Sequence, residues 1–325
     1  MQAIVIRDFG GPEQLAIQEL PPPEPKPEHV IIEVKAFGVN HAETHMRKGE
    51  WPEAAKVSGI ECVGVVRSDP GGRLAVGQTV AALMGGMGRT INGSYAELTQ
   101  VPASNVVPIA SDLPYEELAA IPESYATAWA CLHGNLHLAA GQTLVIRGAT
   151  SALGQAALNI AAHAGAEVVA TTRNRDRFPL LEGLGARGAA LEGPDLARRL
   201  RKTHPVGVDA VLDLVGNSAL LDSLAMVRPG GRVCLAGWLG GLAPIANFNP
   251  LLQMPSRVHF SLFASFVFGT PGFPLSDIPL QTIVDRVASG AYRAKPANVF
   301  RFAEIADAHR LMESNRATGK IVVRL

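Results

Sequence analysis

Cysteine is scarce in this sequence, and the three residues it has lie far apart. Cys62, Cys131 and Cys234 form no Cys-x-x-Cys pair in a chain of 325 residues. An odd count at such spacing argues against a disulfide framework and against a four-cysteine zinc lobe. We therefore interpret all three as buried or inert thiols.

Charge and long apolar runs are also sparse. Charged residues make up 18% of the chain, and 29 lysines and arginines balance 29 aspartates and glutamates. A neutral balance lacks the long-range field of a nucleic-acid binder, so no nucleic-acid partner is predicted. No charge-free apolar run is long enough to span a membrane, and Met1 to Gly11 lacks the apolar core of a signal peptide. The sequence predicts a cytoplasmic protein without a membrane partner.

Hydrophobic residues, at 47%, suffice for the cores of two domains. Before Leu118 the chain is rich in short β-type runs, and after it strands alternate with helices. The predicted strands are Ala3–Ile6, Val30–Val34, Cys62–Val66, Gln78–Ala82, Thr143–Arg147, Val168–Thr172, Ala210–Leu214, Arg232–Ala236 and Lys320–Arg324. The predicted helices are Tyr115–Leu132, Ala152–Ala164, Asp176–Gly183 and Ala303–Ser314. The alternation predicts a parallel sheet with covered faces. The β-type run at the end of the chain predicts that the first domain is discontinuous.

The segment from Gly148 to Gly154, Gly-Ala-Thr-Ser-Ala-Leu-Gly, is the most informative local motif. It follows a predicted strand and opens a predicted helix, which is the context of a dinucleotide-binding turn. In the G-x-G-x-x-G register only the last glycine is kept, but the small Ala149 and Ser151 still permit close backbone approach. The alternative is an ordinary turn. The predicted phosphate contacts are Ser151, with its hydroxyl as a donor, Ala152, Leu153 and Gly154.

The end of the next predicted strand indicates which nicotinamide cofactor would bind. About twenty residues beyond the cradle, an NAD-binding fold usually places an acidic residue on the ribose hydroxyls. Thr172 stands at that position here, followed by Arg173, Arg175 and Arg177. Guanidinium groups pair with a 2′-phosphate, which a carboxylate would repel. Thr172, Arg173 and Arg177 therefore predict NADPH, and the alternative is a solvated basic loop.

Four segments together resemble the zinc-free quinone oxidoreductase branch of the medium-chain dehydrogenases/reductases. They are Val34–Asn40 with Arg47–Gly49, Gly93–Glu97, Ala119–Pro122 with Thr127–Ala128, and Ala306–His309 with Gly319–Val322. The resemblance implies an α/β fold of two domains with the active site in the cleft between them. A GroES-like, β-rich catalytic domain would comprise residues 1–118 and 262–325. A Rossmann NADPH-binding domain, with a doubly wound parallel sheet, would comprise residues 119–261.

The resemblance also implies an activity, a partner and site residues. The activity is hydride transfer from NADPH to a small electron-poor acceptor, either a quinone or an α,β-unsaturated carbonyl. Relatives commonly pair through the cofactor domain, which implies a homodimer. Asn40 and Thr127 match positions that approach the nicotinamide in relatives. Gly216, Asn217 and Gly237 match loops that line the cofactor at later strand ends.

The sequence departs from its zinc-dependent relatives at the metal ligands. Those relatives have cysteine where this chain has Asn40, and histidine where it has Ile60, and the resemblance places their third ligand at Glu123. A catalytic zinc needs three protein ligands, so the loss of two predicts a site without metal. An unorthodox metal site stays open as an alternative, formed by His41, His45, Glu61 and Glu123.

Without a Lewis acid, hydride transfer suits an acceptor that is already electron-poor. The acceptor oxygen that gains charge still needs a hydrogen-bond donor or a proton. Many relatives have tyrosine where this chain has His45, so we predict His45 as a catalytic proton donor beside Asn40. The alternative is a polar residue on a short helix. Two other functions stay open: an enoyl-thioester reductase, and a non-catalytic nicotinamide-binding regulatory protein.

Overall fold

A computed structural model of the chain describes residues 1–51 and 53–325. The strands within these residues are β1 (Gln2–Ile6), β2 (Leu15–Glu19), β3 (His29–Val39), β4 (Glu61–Ser68), β5 (Thr79–Leu83), β6 (Leu98–Pro102), β7 (Val106–Pro108), β8 (Thr143–Arg147), β9 (Glu167–Thr172), β10 (Gly188–Leu191), β11 (Val208–Asp213), β12 (Val227–Leu235), β13 (His259–Leu262), β14 (Asn298–Arg301) and β15 (Ile321–Arg324). The helices are α1 (His41–Lys48), α2 (Tyr115–Leu118), α3 (Pro122–Trp129), α4 (Ala152–His163), α5 (Phe178–Gly183), α6 (Leu196–Leu200), α7 (Leu220–Met226), α8 (Pro250–Gln253), α9 (Leu280–Ala288) and α10 (Ile305–Glu313).

The chain forms two compact units, and the first is discontinuous. Unit 1 comprises Met1–Ala126 and Ser265–Leu325, and unit 2 comprises Thr127–Ala264. The observed borders, at 126/127 and 264/265, lie later in the chain than the predicted borders, at 118/119 and 261/262. Part of the reason is that the start of α3 is tied to unit 1, because the backbone N–H of Glu123 donates to the carboxylate of Glu61 at 2.8 Å.

Unit 1 is built on a largely antiparallel sheet whose longest strand is β3. The strand order is β14-β15-β3-β4-β5-β7, with β6 also paired to β3, and β1 and β2 form a separate hairpin. The C-terminal strand β15 pairs antiparallel with β3, bringing Ile321 opposite Val39. The C-terminal strand therefore belongs to unit 1, which is discontinuous. Buried apolar side chains fill the interior, and among them the rings of Phe37 and Tyr95 stack at 4.5 Å.

Unit 2 is built on a six-stranded sheet in the order β10-β9-β8-β11-β12-β13. All neighbouring strands are parallel. Counted from β8 as the first strand, the order is 3-2-1-4-5-6, which is that of a doubly wound dinucleotide-binding sheet. The strand order reverses beside β8, and ligands bind in such sheets at the carboxyl ends of the strands near that point. The turn after β8 lies there.

The structure differs from the predicted elements in a few local ways. One helix was expected from Tyr115 to Leu132, but α2 ends at Leu118 and α3 begins at Pro122. Proline has no N–H to donate within a helix, so it starts a new one instead. The helix expected from Asp176 begins at Phe178, after a 3₁₀ turn of Arg175–Arg177.

Candidate active site

The turn between β8 and α4 in unit 2 has the geometry of an anion-binding helix start. Gly148 has a φ of 75°, a region that favours glycine. A Cβ on Gly154 would lie 2.6 Å from the Cα of Ala149, so only glycine lets helix and turn approach this closely. The predicted strand–turn–helix context is therefore present, and it explains why this one glycine of the motif is kept.

Ser151 holds this turn together instead of presenting its hydroxyl to a ligand. Its Oγ accepts from the backbone N–H of Gly154 at 3.1 Å and donates to the carbonyl of Gly148 at 2.9 Å. The single hydroxyl hydrogen is thus engaged within the turn. The first backbone N–H groups of α4, those of Ala152 and Leu153, have no acceptor among the described residues. Such free N–H groups at a helix N-terminus favour an anion.

The adjacent strand β9 ends in a basic segment, as the sequence indicates. Thr172 is buried, and position 172 carries no carboxylate of its own. Arg173 and Arg175 are exposed, and the structure gives their guanidinium groups no ion-pair partner among the described residues. Asn174 caps the 3₁₀ turn by accepting from the N–H of Asp176 at 2.9 Å. Arg177 lies in this turn and is half-buried.

A buried polar network lies under these strand ends, and it was not predicted from the sequence. Arg147, the last residue of β8, forms ion pairs with Glu192 and with Asp222, the latter at 3.0 Å, and donates to the hydroxyl of Ser223 at 3.0 Å. Ser223 in turn donates to the carboxylate of Asp213 at 2.6 Å. Burial raises the pKa of Asp213. A charged residue at the end of a largely apolar strand, as in β8 and β11, could have indicated this network.

This network fixes the loop that follows β11. The Oδ1 of Asp213 accepts from the backbone N–H groups of Val215 and Gly216, each at 2.9 Å. Gly216 has a φ of 98°, and a Cβ there would lie 2.8 Å from the carbonyl oxygen of Gly237. The structure therefore brings together the two glycine loops that the resemblance assigned to the cofactor. Asn217 donates from its side chain to the carbonyl of Ala243 at 2.9 Å.

The predicted residues of unit 1 begin with Asn40, the N-cap of α1. Its backbone N–H donates to buried Glu43, and its Nδ2 donates to Glu61 Oε1 at 2.9 Å. Lys320 Nζ donates to Asn40 Oδ1 at 2.6 Å and forms an ion pair with Glu61. Burial raises the pKa of Glu43 to about 8. Lys320 was not predicted as a site residue, although the sequence shows a lysine directly before a buried strand.

His45 lies on the same helix and pairs with a carboxylate. Its Nδ1 is 2.5 Å from Glu50 Oε2, and its ring lies nearly parallel to that of Trp51 at 5.7 Å. Burial, followed by the charges of His45 and Lys48, lowers the pKa of His41 to about 4. Of the two histidines on this helix, His41 is therefore neutral at physiological pH. His45 has the arrangement of an imidazole whose second nitrogen is left for proton exchange.

The remaining predicted residue, Thr127, is buried in α3 and belongs to unit 2. The residues considered as an unorthodox metal site do not assemble into one. His45 is paired with Glu50, while Glu61 is paired with Lys320. Across residues 1–51 and 53–325, the structure shows no group of three His, Cys, Asp or Glu side chains that could hold a metal ion.

Comparison with known proteins places the two units in one superfamily. A family model described as an alcohol dehydrogenase GroES-like domain matches residues 26–111, and one described as a zinc-binding dehydrogenase matches residues 187–323. The quinone oxidoreductase of Lama guanicoe is 27% identical, over 100% of this chain and 98% of its own length. The chain belongs to the medium-chain dehydrogenase/reductase superfamily, in its quinone oxidoreductase-like branch.

Other similar proteins differ in length and in cofactor. A phenolphthiocerol/phthiocerol polyketide synthase of Mycobacterium tuberculosis is 30% identical over 97% of the chain, which spans 14% of that protein's length. A solved NAD-dependent alcohol dehydrogenase is 29% identical, with a TM-score of 0.85 and 100% of both chains covered. A mycobacterial protein solved with NADPH is 25% identical, with a TM-score of 0.88 and 100% of both chains covered. In the part of this chain that the structure describes, no helix has the length and apolarity to cross a membrane.

Proposed function

We propose that this chain is an NADPH-dependent, zinc-independent reductase that transfers hydride to a quinone or an α,β-unsaturated carbonyl. The observation that carries the proposal is the lysine ammonium bonded to Asn40 and Glu61, beside a position where zinc-dependent relatives have a cysteine ligand. A site without a Lewis acid suits an acceptor that is already electron-poor. The three buried free thiols fit a reducing compartment, so we propose a cytoplasmic location.

The residues of unit 2 fit a nicotinamide dinucleotide. The free N–H groups of Ala152 and Leu153 would bind the pyrophosphate, and the close packing at Gly154 leaves the backbone accessible. Of the two similar solved structures described above, the alcohol dehydrogenase is NAD-dependent and the mycobacterial protein carries NADPH. Arg173, with no carboxylate at Thr172 to oppose it, favours a 2′-phosphate and therefore NADPH.

The residues of unit 1 do not fit a catalytic zinc. Asn40 and Ile60 are poor replacements for a thiolate and an imidazole, since zinc prefers sulfur and nitrogen donors. The carboxylate of Glu61 already accepts from Lys320, from Asn40 and from the N–H of Glu123. A cation placed there would also face the ammonium of Lys320, and we therefore propose no step through a metal.

The chemistry divides between cofactor and protein. NADPH, when bound, supplies a hydride from the nicotinamide ring. The protein has to orient the acceptor and to supply a proton to the oxygen or carbon that gains charge. We propose His45 as that proton donor, because Glu50 binds its Nδ1 and leaves Nε2 for the acceptor. His41 is unsuited, because burial keeps it uncharged.

A second candidate is a reductase of enoyl thioesters. The 30% identity to a segment of a polyketide synthase favours it. The chemistry is the same, since a thioester carbonyl also activates the double bond for hydride addition. The two candidates differ in the part of the substrate that binds beyond the reacting carbons. Comparing the rates of reduction of free enals and of enoyl thioesters therefore distinguishes them. A non-catalytic nicotinamide-binding protein would reduce neither.

We expect purified protein to oxidise NADPH in the presence of simple quinones or enals, and to keep that activity after dialysis against a chelator. Retention is expected because no residue set for zinc is present among the described residues. Absorbance at the NADPH band measures turnover, and elemental analysis of the same sample measures bound metal. Loss of activity on chelation, restored by zinc, would contradict zinc independence. NADPH binding without turnover of any acceptor would favour the non-catalytic alternative.

We expect Arg173→Ala to weaken NADPH binding by roughly ten- to a hundredfold and to leave NADH binding nearly unchanged. A charge-assisted bond to phosphate contributes about 1.5–3 kcal/mol. The effect should shrink as salt rises, because Arg173 is exposed. Fluorescence titration with both cofactors measures it, with Arg198→Ala as control, since Arg198 is an exposed arginine of α6 paired with Asp195. If the substitution weakened the binding of NADPH and NADH equally, the arginines would be only part of a solvated loop.

We expect His45→Phe to lower kcat by about a hundredfold or more and to leave the Kd for NADPH within twofold. Steady-state kcat with saturating NADPH and a fluorescence titration with NADPH measure the two effects. His29→Phe, at the start of β3, is the control. An unchanged kcat in His45→Phe would return His45 to a purely structural role.

We also propose that the chain forms a homodimer through the edge of the unit 2 sheet. Among the described residues β13 pairs only with β12, and its Phe260 and Leu262 are 40% and 54% exposed. Such an open apolar edge invites a second strand. Light scattering should give about twice the 34.3 kDa mass of the chain, and Leu262→Lys should give the monomer, unlike Val206→Lys at an exposed turn. A monomeric wild type would refute the proposal.

A further inference from the structure

Lys320 is buried in unit 1 with every hydrogen of its ammonium group directed at an acceptor. It lies directly before β15, and its side chain is only 4% exposed. The Nζ atom donates to Asn40 Oδ1 at 2.6 Å, to Ser124 Oγ at 3.3 Å and to Glu61 Oε1. An ammonium group has three hydrogens and no acceptor, so this set satisfies it completely. Lys320 therefore has no donor left for a ligand.

The same contacts dictate which way the side-chain amide of Asn40 faces. Its oxygen must face Lys320, because an ammonium group can only donate. Its nitrogen must face Glu61, whose Oε1 accepts at 2.9 Å and already carries the ion pair with Lys320. Reversing the amide would place two donors together on one side and two acceptors on the other. The orientation is thus fixed by charge on both sides.

One hydrogen of this amide is left without a partner. Asn40 Nδ2 has two hydrogens. Within the described part of the chain, one of them is donated to Glu61 and the other has no acceptor. Asn40 is half-buried, in contrast to the fully buried Glu61, so it is the member of this cluster that a ligand can reach. The cluster therefore offers a ligand one N–H donor and withholds the amide oxygen.

The sheet makes room for this arrangement at Gly38. A Cβ on this residue would overlap the side chain of Lys320 and the carboxylate of Glu61. Gly38 lies on β3, opposite Val322 of the C-terminal strand, so the pairing of β15 with β3 places the lysine beside the open space. The close approach of lysine and glutamate thus depends on a missing side chain, and a larger residue would force the pair apart.

We propose that Lys320 and Glu61 are positioning residues, which hold the Asn40 amide so that its remaining Nδ2–H donates to the acceptor's carbonyl oxygen. This inference rests on the proposed function. When the electron-poor carbon receives hydride with its electron pair, the π electrons move onto that oxygen, and a proton then neutralises the product. A donor held in place before charge develops needs no reorientation during the step. Lys320 acts through Asn40 and does not itself touch the acceptor.

The test removes the two charges together. Lys320→Met alone leaves the Glu61 carboxylate buried without a counterion and is expected to destabilise the fold. The double variant Lys320→Met/Glu61→Gln is neutral and keeps an oxygen for the N–H of Glu123. Lys35→Met is the matched control, because Lys35 forms an ion pair with Glu33 that is partly exposed and does not involve Asn40. Thermal unfolding of each variant establishes that it is folded.

The kinetic result distinguishes positioning from general structural support. Asn40→Ala should lower kcat by about a hundredfold, as does removal of one donor to a developing oxyanion. The double variant should lower kcat at least tenfold, with the Kd for NADPH within twofold. Adding it to Asn40→Ala should change kcat less than twofold further, because its effect passes through Asn40. Independent, multiplying effects would overturn the inference.

A second measurement needs neither cofactor nor turnover. In ¹⁵N-asparagine-labelled protein, the side-chain amide signals of Asn40 are assigned as those absent from Asn40→Ala. They should move and exchange faster with water in the double variant, and stay unchanged in Lys35→Met. Unchanged signals in the double variant would overturn the inference even if the wild type reduces quinones. Wild-type protein without turnover would overturn the proposed function, while this measurement still decides whether the amide is held.

Discussion

The buried ion pair between Lys320 and Glu61 is the constraint on which the site of unit 1 depends. Removing two charges from water costs several kcal/mol for each ion, and only good geometry with further hydrogen bonds offsets that cost. Here the ammonium group has three acceptors, and the carboxylate receives Lys320, Asn40 and the N–H of Glu123. Segments far apart in sequence must therefore meet at one point. The start of α3 joins unit 1 for the same reason.

Unit 2 uses a buried charge in a similar way. Arg147 ends β8 and is neutralised by Glu192 and Asp222. Through Ser223 the network reaches Asp213, whose carboxylate holds the loop containing Gly216. The network thus fixes the path of this loop, while glycine at position 216 permits its close approach to Gly237. In both units the buried charges lie where strands end, which is where the predicted ligand contacts lie.

The elements that were predicted well are those with a strong local pattern. The parallel sheet of unit 2 follows from short apolar strands alternating with helices, and β8 has the predicted bounds. The cradle was predicted from its small residues, but the role of Ser151 was not, because only the folded turn shows that Gly148 and Gly154 occupy its hydroxyl. The partners of Arg147 and Lys320 lie tens to hundreds of residues away. No local pattern carries that information, since such contacts are set by strand pairing.

The sequence by itself determined the superfamily, the strand–helix alternation, the loss of two zinc ligands and the basic end of β9. Each of these depends on residue type at a position within one segment. Only the tertiary structure decided that the cation beside Asn40 is Lys320. The physical reason is the register of β15 on β3, which places Ile321 opposite Val39 and so brings the preceding lysine to Asn40 and Glu61. Register arises from the packing of the whole sheet, and no single segment contains it.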